Sequence, residues 1–491
     1  MTKNGHRERG SDRLIALLIE ATKALGADSP PTPPYRKGPF MEWHESIDTL
    51  TDRPRFWHNQ SLRNFAAVSE GWRTYDDVYR RTEWDSERLQ ALVDRQLRDI
   101  LSAVAQHGTA EQRAVLSEAD MRRAPHSTLN LLPPLRKSDL IERPHELRTG
   151  LVQQVDVLRA RTSGTTGEPV AVEHGESHLV HGFAASMRAF HAYGLSPGFR
   201  TLRITCDPRH ELVHFGADAT TWTRLRINLS KIDSGNAGYI ERLVADFRPD
   251  VLWGQPMELL VLAGRVRSGE LEISTPELVF THGDTIDAQT RRAFAVAFDA
   301  PHRDVFGLQE FGQVAWECPV EPQTYHVNEE RVHIGTDGDG ALLLTNLVNR
   351  AMLLVRYRPE DRAELIDGAC RCGRALRRLR GLEGRQRGFI ADRDRVPVNV
   401  KPVQLYLESL PLLRWQVRQT EPGSIEVLVV PRDSTCDVNR NHIAASMNLA
   451  DVKVREVELE ELLTRSGKSI RFDLCINQQN LARQLTGPAD E

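Results

Sequence analysis

Hydroxyl side chains and glycines are concentrated in one segment of the chain, residues 162–169, which reads TSGTTGEP. Glycine allows backbone N–H groups to face an anion, and hydroxyl groups add hydrogen-bond donors with little bulk. The donor positions are Thr162, Ser163, Gly164, Thr165, Thr166 and Gly167. Such a segment suits the phosphates of ATP. It lacks the Gly-Lys-Ser/Thr of a P-loop, and an ordinary polar loop is the alternative interpretation.

Three cysteines and one histidine form a second group of reactive side chains. Cys318 follows the run VAWE, His326 begins the run HVNEE, and Cys370 and Cys372 lie in the sequence CRCG. Thiolate and imidazole are ligands that Zn²⁺ prefers, and four protein ligands would close its coordination shell, as in a structural site. The Cys-x-Cys spacing is tighter than the usual Cys-x-x-Cys, so buried free thiols are the alternative.

The elements that must position these residues alternate along the middle of the chain. From about residue 150, strand-like runs such as RTLRITC, DVLWG and ELVFTHG alternate with helical runs such as IERLVADF and TRRAFAVAF. This alternation predicts βαβ units and a largely parallel sheet, with sites at the carboxyl ends of the strands. After about residue 325, the runs HVNEERVHIG, GALLLTNL and MLLVRYR predict short antiparallel strands joined by the turn DGDG.

Both ends of the chain differ from this pattern. Residues 84–122 carry apolar side chains at a helical spacing, which predicts a helical subdomain, whereas residues 1–14 and the proline-rich run after them predict a disordered start and an extended arm. Beyond about residue 385, the runs predict a small α+β domain. The chain is therefore predicted to be α/β, with an N-terminal arm and helical start (1–84), a large domain (85–384) and a small C-terminal domain (385–491).

Composition limits the classes of protein to consider. The 491 residues exceed what one hydrophobic core usually spans, which predicts at least two domains. Its 64 basic and 68 acidic residues give a net charge of -4, which favours neither nucleic acid nor an anionic membrane as a partner. No apolar run is long enough for a signal peptide or a membrane span, and six cysteines are too few for a disulfide framework. We expect a cytoplasmic protein.

The segment 162–169 resembles the signature of the adenylate-forming superfamily, which includes acyl-CoA synthetases, nonribosomal-peptide adenylation domains and luciferases. Further blocks, in the order found in that family, are similar to its phenylacetate-CoA ligase-like and CapK-like branch. They are FGLQEFGQVAWECP, TNLVNRAMLLVRYRPED, LEGRQRGFI and TRSGKSIRF. The resemblance spans roughly residues 85–475. It implies a large N-terminal domain of mixed sheets and helices and a small, mobile α+β C-terminal domain.

The resemblance also implies roles for individual residues. Thr165 and its neighbours would contact the ATP phosphates, Glu310 would hold Mg²⁺ there, and Lys468 would reach the acyl phosphate during adenylation. The other implied contacts are Gly283 and Asp284 in the adenine pocket, Phe306 and Gly307 at the adenine ring, Asp361 at the ribose hydroxyls, Arg358 beside it, and Arg385 at the hinge. Alternatives are a surface glutamate at 310, a structural salt bridge around Asp361 and a solvated loop at Lys468. Alternate strand residues share a face, so Arg356 is predicted to act together with Arg358.

The implied chemistry is carboxylate activation. A carboxylate attacks the α-phosphorus of Mg·ATP to give acyl-AMP and pyrophosphate, and a nucleophile then releases AMP. Coenzyme A is the favoured acceptor, and an amine, a hydroxyl or a carrier-protein thiol in a biosynthetic pathway is the alternative. A non-catalytic nucleotide-binding relative is a third interpretation, which Glu168 would fit because the family usually has lysine there.

The small carboxylic acid is expected to bind near residues 181–228 and 253–257, between the phosphate segment and the Glu310 block. The candidate side chains are His191, Tyr193, Trp222 and Trp253. The sequence does not identify the acid. A homodimer is compatible with the sequence.

Overall fold

The computed structural model describes residues 70–152, 157–161, 170–195, 199–207, 210–216, 223–359, 361–383, 389–394, 397–432, 436–462, 472–473 and 485. The predicted disordered start and extended arm lie before residue 70 and therefore outside these ranges. Residues 70–82 are helical and include the π-helical turn Tyr75–Tyr79. The further α-helices are Ser86–His107, Ala110–Glu118, Pro125–Leu129, Lys137–Glu142, Pro144–Leu147, Glu176–Ala192, Ala237–Phe247, Pro256–Arg267, Ala288–Phe298, Lys401–Glu408 and Arg440–Met447. Short 3-10 turns occur at Leu229–Lys231 and Leu459–Leu462.

The predicted helical subdomain is present as the helices Ser86–His107 and Ala110–Glu118. The first begins at the N-cap Asp85, whose carboxylate accepts a hydrogen bond from the backbone N–H of Arg88 over 2.9 Å. Its apolar side chains recur on one face and are buried, and this explains the helical spacing of apolar residues in the sequence. The helix ends at Gly108.

Twenty strands lie in the described residues. They are β1 (Leu158–Arg161), β2 (Ala171–His174), β3 (Arg200–Thr205), β4 (Val213–Gly216), β5 (Thr223–Asn228), β6 (Val251–Gly254), β7 (Leu278–His282), β8 (His302–Leu308), β9 (Gly312–Glu317), β10 (Thr324–Val327), β11 (Val332–Thr336), β12 (Leu342–Asn346), β13 (Arg362–Ile366), β14 (Arg378–Glu383), β15 (Phe389–Ala391), β16 (Pro397–Asn399), β17 (Leu412–Glu421), β18 (Ser424–Pro431), β19 (Asp451–Glu456) and β20 (Phe472–Asp473).

A ten-stranded sheet dominates the large domain, in the order β13-β14-β10-β9-β8-β7-β6-β3-β5-β4. The strands β5, β3, β6, β7 and β8 run parallel, and the crossovers carry the helices Ala237–Phe247, Pro256–Arg267 and Ala288–Phe298. The predicted parallel sheet is therefore confirmed. From β8 through β9, β10 and β14 to β13, neighbouring strands are antiparallel, and β11 and β12 form a hairpin across the predicted DGDG turn.

Apolar cores lie on both faces of this sheet. On one face, the helices Ser86–His107 and Glu176–Ala192 pack their buried residues against side chains such as Phe280 and Trp316. On the other face, the three crossover helices pack against Leu202, Leu252 and Val279. The covered faces explain why β6 and β7 read as nearly continuous apolar runs.

The C-terminal region has a sheet and a core of its own. The order of this four-stranded sheet is β19-β18-β17-β20, and the helices Lys401–Glu408 and Arg440–Met447 accompany it. Val417, Ile425 and Val427 are at the centre of its apolar cluster. The domain boundary at residue 385 stays a prediction, since residues 384–388 lie outside the described ranges. Within those ranges, no helix has both the length and the apolar character that a membrane crossing requires.

Candidate active site

The segment 162–169 connects two strands that pair with each other. β1 precedes it and β2 follows it, and they are antiparallel, with Leu158 opposite His174 and Arg161 opposite Ala171. The segment therefore follows the carboxyl end of β1 directly. The predicted phosphate-binding residues themselves lie outside the described ranges, as do Glu168, Trp222, Arg385 and Lys468. These phosphate-segment residues are Thr162, Ser163, Gly164, Thr165, Thr166 and Gly167.

Glu310 lies in the tight turn between β8 and β9, and its side chain is buried. The backbone N–H of Phe311 donates to the carbonyl oxygen of Leu308 over 3.0 Å, and Gly312 has a left-handed φ of +66°. A Cβ at Gly307 would lie 2.8 Å from the carbonyl oxygen of Gly312, so only glycine permits this approach. The turn follows the carboxyl end of β8, where ligands bind in sheets of this kind.

The backbone carbonyl groups of the two residues next to Glu310 are held by buried side chains. His174 Nε2 donates to the carbonyl oxygen of Gln309 over 3.0 Å, and Arg331 Nη2 donates to that of Phe311 over 2.8 Å. Burial lowers the pKa of His174 to about 4, so its ring is neutral at neutral pH. Because His174 is the last residue of β2, the strand pair around the phosphate segment is connected directly to the turn that carries Glu310.

Tyr357 reaches Glu310 from a third direction. Its hydroxyl donates to Oε1 of Glu310 over 3.2 Å, and its ring stacks on that of Phe311 with centroids 5.9 Å apart. His174, Arg331 and Tyr357 were not among the site residues predicted from the sequence. The sequence feature that could have identified them is a polar or charged side chain within or next to an otherwise apolar strand run.

The structure brings several predicted residues to adjacent strand ends. Gly283 and Asp284 directly follow β7, and Gly307 and Glu310 lie at the end of β8, which is the parallel neighbour of β7. Gly283 has a left-handed φ of +92°, and Asp284 is buried. Phe306 is buried in the apolar core, in the same cluster as Phe311 and Tyr357.

Asp361 and Arg358 lie beside the β11–β12 hairpin. The backbone oxygen of Asp361 accepts from the N–H of Leu342 over 3.2 Å, and its residue is buried. Arg358 pairs with both acidic residues of the hairpin turn, at 2.7 Å from Asp337 and 3.2 Å from Asp339. These contacts are intramolecular, and the predicted nucleotide contacts of both residues stay predictions.

The prediction that Arg356 shares a strand face with Arg358 is wrong. Arg356 has a left-handed φ of 52°, which interrupts the alternation of side chains along the strand. Its guanidinium donates to Asn130 Oδ1 over 2.7 Å, away from the acidic turn that binds Arg358. Only Tyr357, between them, forms bridge pairs, with Leu135 and with Leu344.

The predicted acyl-pocket residues differ in their surroundings. Tyr193 is partly buried against the core, and its hydroxyl donates to the carbonyl oxygen of Glu317 over 2.8 Å. His191 Nδ1 lies 2.7 Å from the hydroxyl of Tyr75. Trp253 Nε1 donates to His282 Nδ1 over 2.8 Å, and the Trp253 ring lies 5.9 Å from that of Phe190.

The four predicted zinc ligands come together. One donor atom from each of Cys318, His326, Cys370 and Cys372 lies within 4.8 Å of the others. The sulfur atoms of Cys318 and Cys370 are 3.7 Å apart, and Cys372 Sγ is 3.2 Å from His326 Nε2. Tetrahedral zinc with bonds of ~2.3 Å separates two sulfur ligands by ~3.8 Å, so the spacing suits this ion.

The surroundings of the cluster also suit a cation held by thiolates. Backbone N–H groups of Val320 and Glu321 lie 3.4 and 3.3 Å from Cys318 Sγ and donate to it. Burial, and then the guanidinium of Arg374, lower the pKa of His326 to about 3, so its imidazole is neutral and has a lone pair for a metal.

Comparison with known proteins gives relatives of one kind. No family model matches the chain. Phenylacetate-coenzyme A ligase of Thermus thermophilus is 26% identical over 347 residues, which are 65% of this chain and 74% of the relative. The enzyme of that name from Pseudomonas putida is 25% identical over 279 residues, which are 52% of this chain and 60% of the relative. The chain thus matches less than two thirds of the length of the latter.

Solved structures extend the comparison to the fold. 2-Hydroxyisobutyryl-CoA ligase in complex with 2-HIB-AMP and CoA, in the thioesterification state, aligns with a TM-score of 0.55 at 15% identity and covers 83% of this chain and 94% of that one. Its open conformation gives a TM-score of 0.50 and covers 79% of this chain and 92% of that one. At this identity the likeness concerns the fold. The chain therefore has the fold of 2-hydroxyisobutyryl-CoA ligase, and over about half to two thirds of its length it is similar in sequence to phenylacetate-coenzyme A ligases.

Proposed function

We propose that the chain is an adenylate-forming ligase that activates a carboxylic acid with ATP and Mg²⁺ and transfers the acyl group to coenzyme A. The observation that supports this most directly is the fixed position of Glu310 at the carboxyl end of β8, connected through His174 to the strand pair around residues 162–169. The relatives named phenylacetate-coenzyme A ligase support the same reaction class.

The proposed reaction has two half-reactions. First, a carboxylate oxygen of the acid attacks the α-phosphorus of ATP, and the bond from this phosphorus to pyrophosphate breaks, which leaves acyl-AMP. Second, the thiol sulfur of coenzyme A attacks the acyl carbon, its proton leaves, and AMP departs as an anion. Positioning of the reactants and neutralisation of the phosphate charges supply the catalysis.

Glu310 is the proposed ligand of Mg²⁺. A carboxylate oxygen is the hard ligand that this ion prefers, and among the described residues Tyr357 is the one donor found for the carboxylate, at Oε1. Bound magnesium would neutralise charge on the ATP phosphates. The remaining proposed contacts are Thr162, Ser163, Gly164, Thr165, Thr166 and Gly167 at the phosphates, Gly283, Asp284, Phe306 and Gly307 at adenine, and Asp361 with Arg358 at ribose.

The C-terminal region from Arg385 is proposed to act as a mobile lid that brings Lys468 to the acyl phosphate. Its separate sheet and apolar core support a unit that can move as one body. If this role is correct, Lys468→Ala lowers adenylation but largely spares transfer from supplied acyl-AMP. An equal loss in both steps would contradict it.

We also propose that Cys318, His326, Cys370 and Cys372 bind a structural zinc ion. The distances between their donor atoms support this, and four protein ligands leave no position for a substrate. The ion would therefore stabilise the part of the sheet formed by β9, β10 and β14 and take no part in the reaction.

Carboxylate-dependent exchange between ATP and labelled pyrophosphate tests the first half-reaction. Wild-type protein is expected to catalyse exchange with at least one acid of a broad panel, and Glu310→Gln to lower the rate by about 100-fold or more, the loss expected when a metal ligand at the reacting phosphates is removed. Glu364→Gln, at an exposed position of β13, is the matched control and should leave exchange unchanged.

Product analysis tests the acceptor. Addition of coenzyme A should yield a thioester that is identified by its mass. Exchange without a thioester would reassign the acceptor to an amine, a hydroxyl or a carrier-protein thiol. If no acid supports exchange, the chain is a nucleotide-binding relative without ligase activity.

A further inference from the structure

Arg331 is a buried cation that the fold leaves without a counter-ion. It is 1% exposed, and no carboxylate pairs with it in the part of the chain that the structure describes. Glu330, the residue before it, pairs with Arg188. Glu329 pairs with Arg377 over 2.6 Å. Because an uncompensated charge is costly inside a protein, its presence at this position calls for a functional reason.

The hydrogen bonds of the Arg331 guanidinium are also incomplete. Nη2 donates to the carbonyl oxygen of Phe311 over 2.8 Å and lies 3.3 Å from His178 Nε2. Nε and Nη1 are buried and have no hydrogen-bond partner among the described residues. Burial lowers the pKa of Arg331, and the group still carries its charge at neutral pH because the pKa of arginine starts above ~12.

Three histidines near this guanidinium are neutral at neutral pH. Burial lowers the pKa of His174 to about 4 and that of His181 to about 3. It also lowers the pKa of His178 well below its usual value. The rings of His174 and His178 are stacked, with centroids 3.9 Å apart. The positive charge of this group of four side chains therefore belongs to Arg331, and no member of the group balances it.

The guanidinium lies where the helix Glu176–Ala192 meets the start of β9. A Cβ at Gly182 of the helix would lie 3.4 Å from its Nη1, and a Cβ at Gly312 of β9 would lie 3.1 Å from its Nη2. Because both positions are glycine, neither places a side chain over the charge. Both glycines are partly exposed, so the charge lies directly beneath the surface on this side.

This place adjoins the turn that carries Glu310. Gly312 begins β9 two residues after Glu310. Since Nη2 of Arg331 is 2.8 Å from the carbonyl oxygen of Phe311, covalent bond lengths place it within ~9 Å of the Cα atom of Glu310. Gly182 belongs to the stretch 181–228, in which the acid is expected to bind. The uncompensated charge therefore lies between the proposed magnesium ligand and the expected position of the acid.

We infer that Arg331 attracts the reacting carboxylate of the acid, so that the bound acid supplies the negative charge that the fold does not. Charge acts across several ångströms in a poorly solvated place, so this role requires no direct contact. The inference rests on the proposed ligase function and adds to it a residue that determines the affinity for the acid. The phosphates of ATP have the same anionic chemistry and are proposed to bind at the same turn, so the experiment must separate the two sources.

Separate KM values for the acid and for ATP test the inference in the full-length protein. Pyrophosphate exchange is measured with the acid of the panel that the wild type uses best. Two unit charges ~8 Å apart at an effective dielectric constant of ~20 change an equilibrium constant by roughly 30-fold. Arg331→Gln keeps a donor and removes the charge, so it should raise the KM for the acid by about 30-fold and leave kcat and the KM for ATP within about threefold. Arg331→Lys keeps the charge and should restore the KM for the acid to within about threefold of wild type.

Arg377→Gln is the matched control, because Arg377 has its own counter-ion in Glu329. It should leave kcat and both KM values unchanged. Urea unfolding adds a readout that separates charge from structural support. Removing a buried charge that has no partner is neutral or stabilising, so Arg331→Gln should not lower the urea midpoint. An arginine that only supports the turn would lower it when replaced.

Two results would overturn the inference and leave the ligase function intact. A raised KM for ATP with an unchanged KM for the acid would assign the charge to the phosphates. A fall in kcat and in the urea midpoint with both KM values unchanged would assign Arg331 to support of the turn alone. If Arg331→Gln does not fold, Arg331→Lys decides, because a kept charge must keep the KM for the acid. Absence of exchange with every acid in the wild type refutes the ligase function and the inference with it.

Discussion

Arg188 and Glu330 form an ion pair beneath the helical layer, and both side chains are 0% exposed. Arg188 Nη1 donates to Glu330 Oε2 over 3.0 Å, and Nη2 contacts the other carboxylate oxygen and the carbonyl oxygen of Tyr79. The hydroxyl of Thr82 donates to the same carboxylate. The pair therefore joins the first helical segment, the helix Glu176–Ala192 and the turn before β11. We predict that loss of either partner destabilises the large domain strongly.

The magnitude follows from the geometry. Two unit charges about 4 Å apart attract by about 4 kcal/mol at an effective dielectric constant of about 20, and breaking a buried pair from one side costs about 3–5 kcal/mol. Arg188→Met leaves Glu330 without its cation, so we expect the loss at the upper end of this range. Glu330→Gln leaves Arg188 with Glu83, 3.6 Å from its Nε, so we expect about 3 kcal/mol.

A double-mutant cycle measured by urea unfolding and intrinsic tryptophan fluorescence checks this. The double variant Arg188→Met/Glu330→Gln should lose about 2–3 kcal/mol less than the sum of the single variants. Arg80 and Asp76 provide the control cycle, because their side chains are 61% and 47% exposed, and their coupling should stay below about 0.5 kcal/mol. A coupling for the buried pair as small as that of the exposed pair would refute the reasoning.

Three other predictions concern the cysteine and histidine cluster, the buried Asp304 and the turn that carries Glu310. Metal analysis should find about one zinc ion per chain in the wild type. Cys318→Ser should lose both the zinc and thermal stability, whereas Cys206→Ser, which changes a buried thiol outside the cluster, should keep the zinc. Burial raises the pKa of Asp304 to about 7, so the folded protein keeps a proton that the unfolded chain releases at about pH 4. As the pH rises from about 5 to about 8, the free energy of unfolding of the wild type should therefore fall by up to about 3 kcal/mol, whereas that of Asp304→Asn should not. Urea-unfolding measurements in which both proteins show the same pH dependence would contradict this. Gly312→Ala should lower the free energy of unfolding by about 1–3 kcal/mol and reduce exchange activity, because φ is +66° and the added Cβ would lie 3.1 Å from the buried guanidinium of Arg331. The control Gly335→Ala, whose Cβ would meet nothing within 4 Å, should change neither.

The cluster of three cysteines and one histidine shows what the sequence makes predictable. Cys318, His326, Cys370 and Cys372 were selected by ligand chemistry alone, and β9, β10 and the turn before β14 bring them together. The alternation of strand-like and helical runs likewise predicted most of the parallel half of the sheet, in which β6 and β7 are apolar because both of their faces are covered. Local chemistry and periodicity are visible in a single sequence.

Contacts that depend on backbone strain or on strand order were not predictable. The left-handed φ of Arg356 could not be predicted from its residue type, because the surrounding structure imposes it. Arg226 lies beside Arg203 because β5 joins the sheet next to β3, on the side away from β6, and β4 and β5 were not predicted as strands. The support of the Glu310 turn by His174 spans 135 residues between bonded partners, beyond the reach of any local pattern.

Strand direction changes at β8, and the change affects how the chain folds. β8, β9 and β10 follow one another through short turns, so their antiparallel contacts are local in sequence. β3, β6, β7 and β8 become neighbours only after helical crossovers close longer loops, which is slower. The turn with Glu310 is therefore expected to form early, and the parallel strands that complete the candidate site are expected to assemble onto it later.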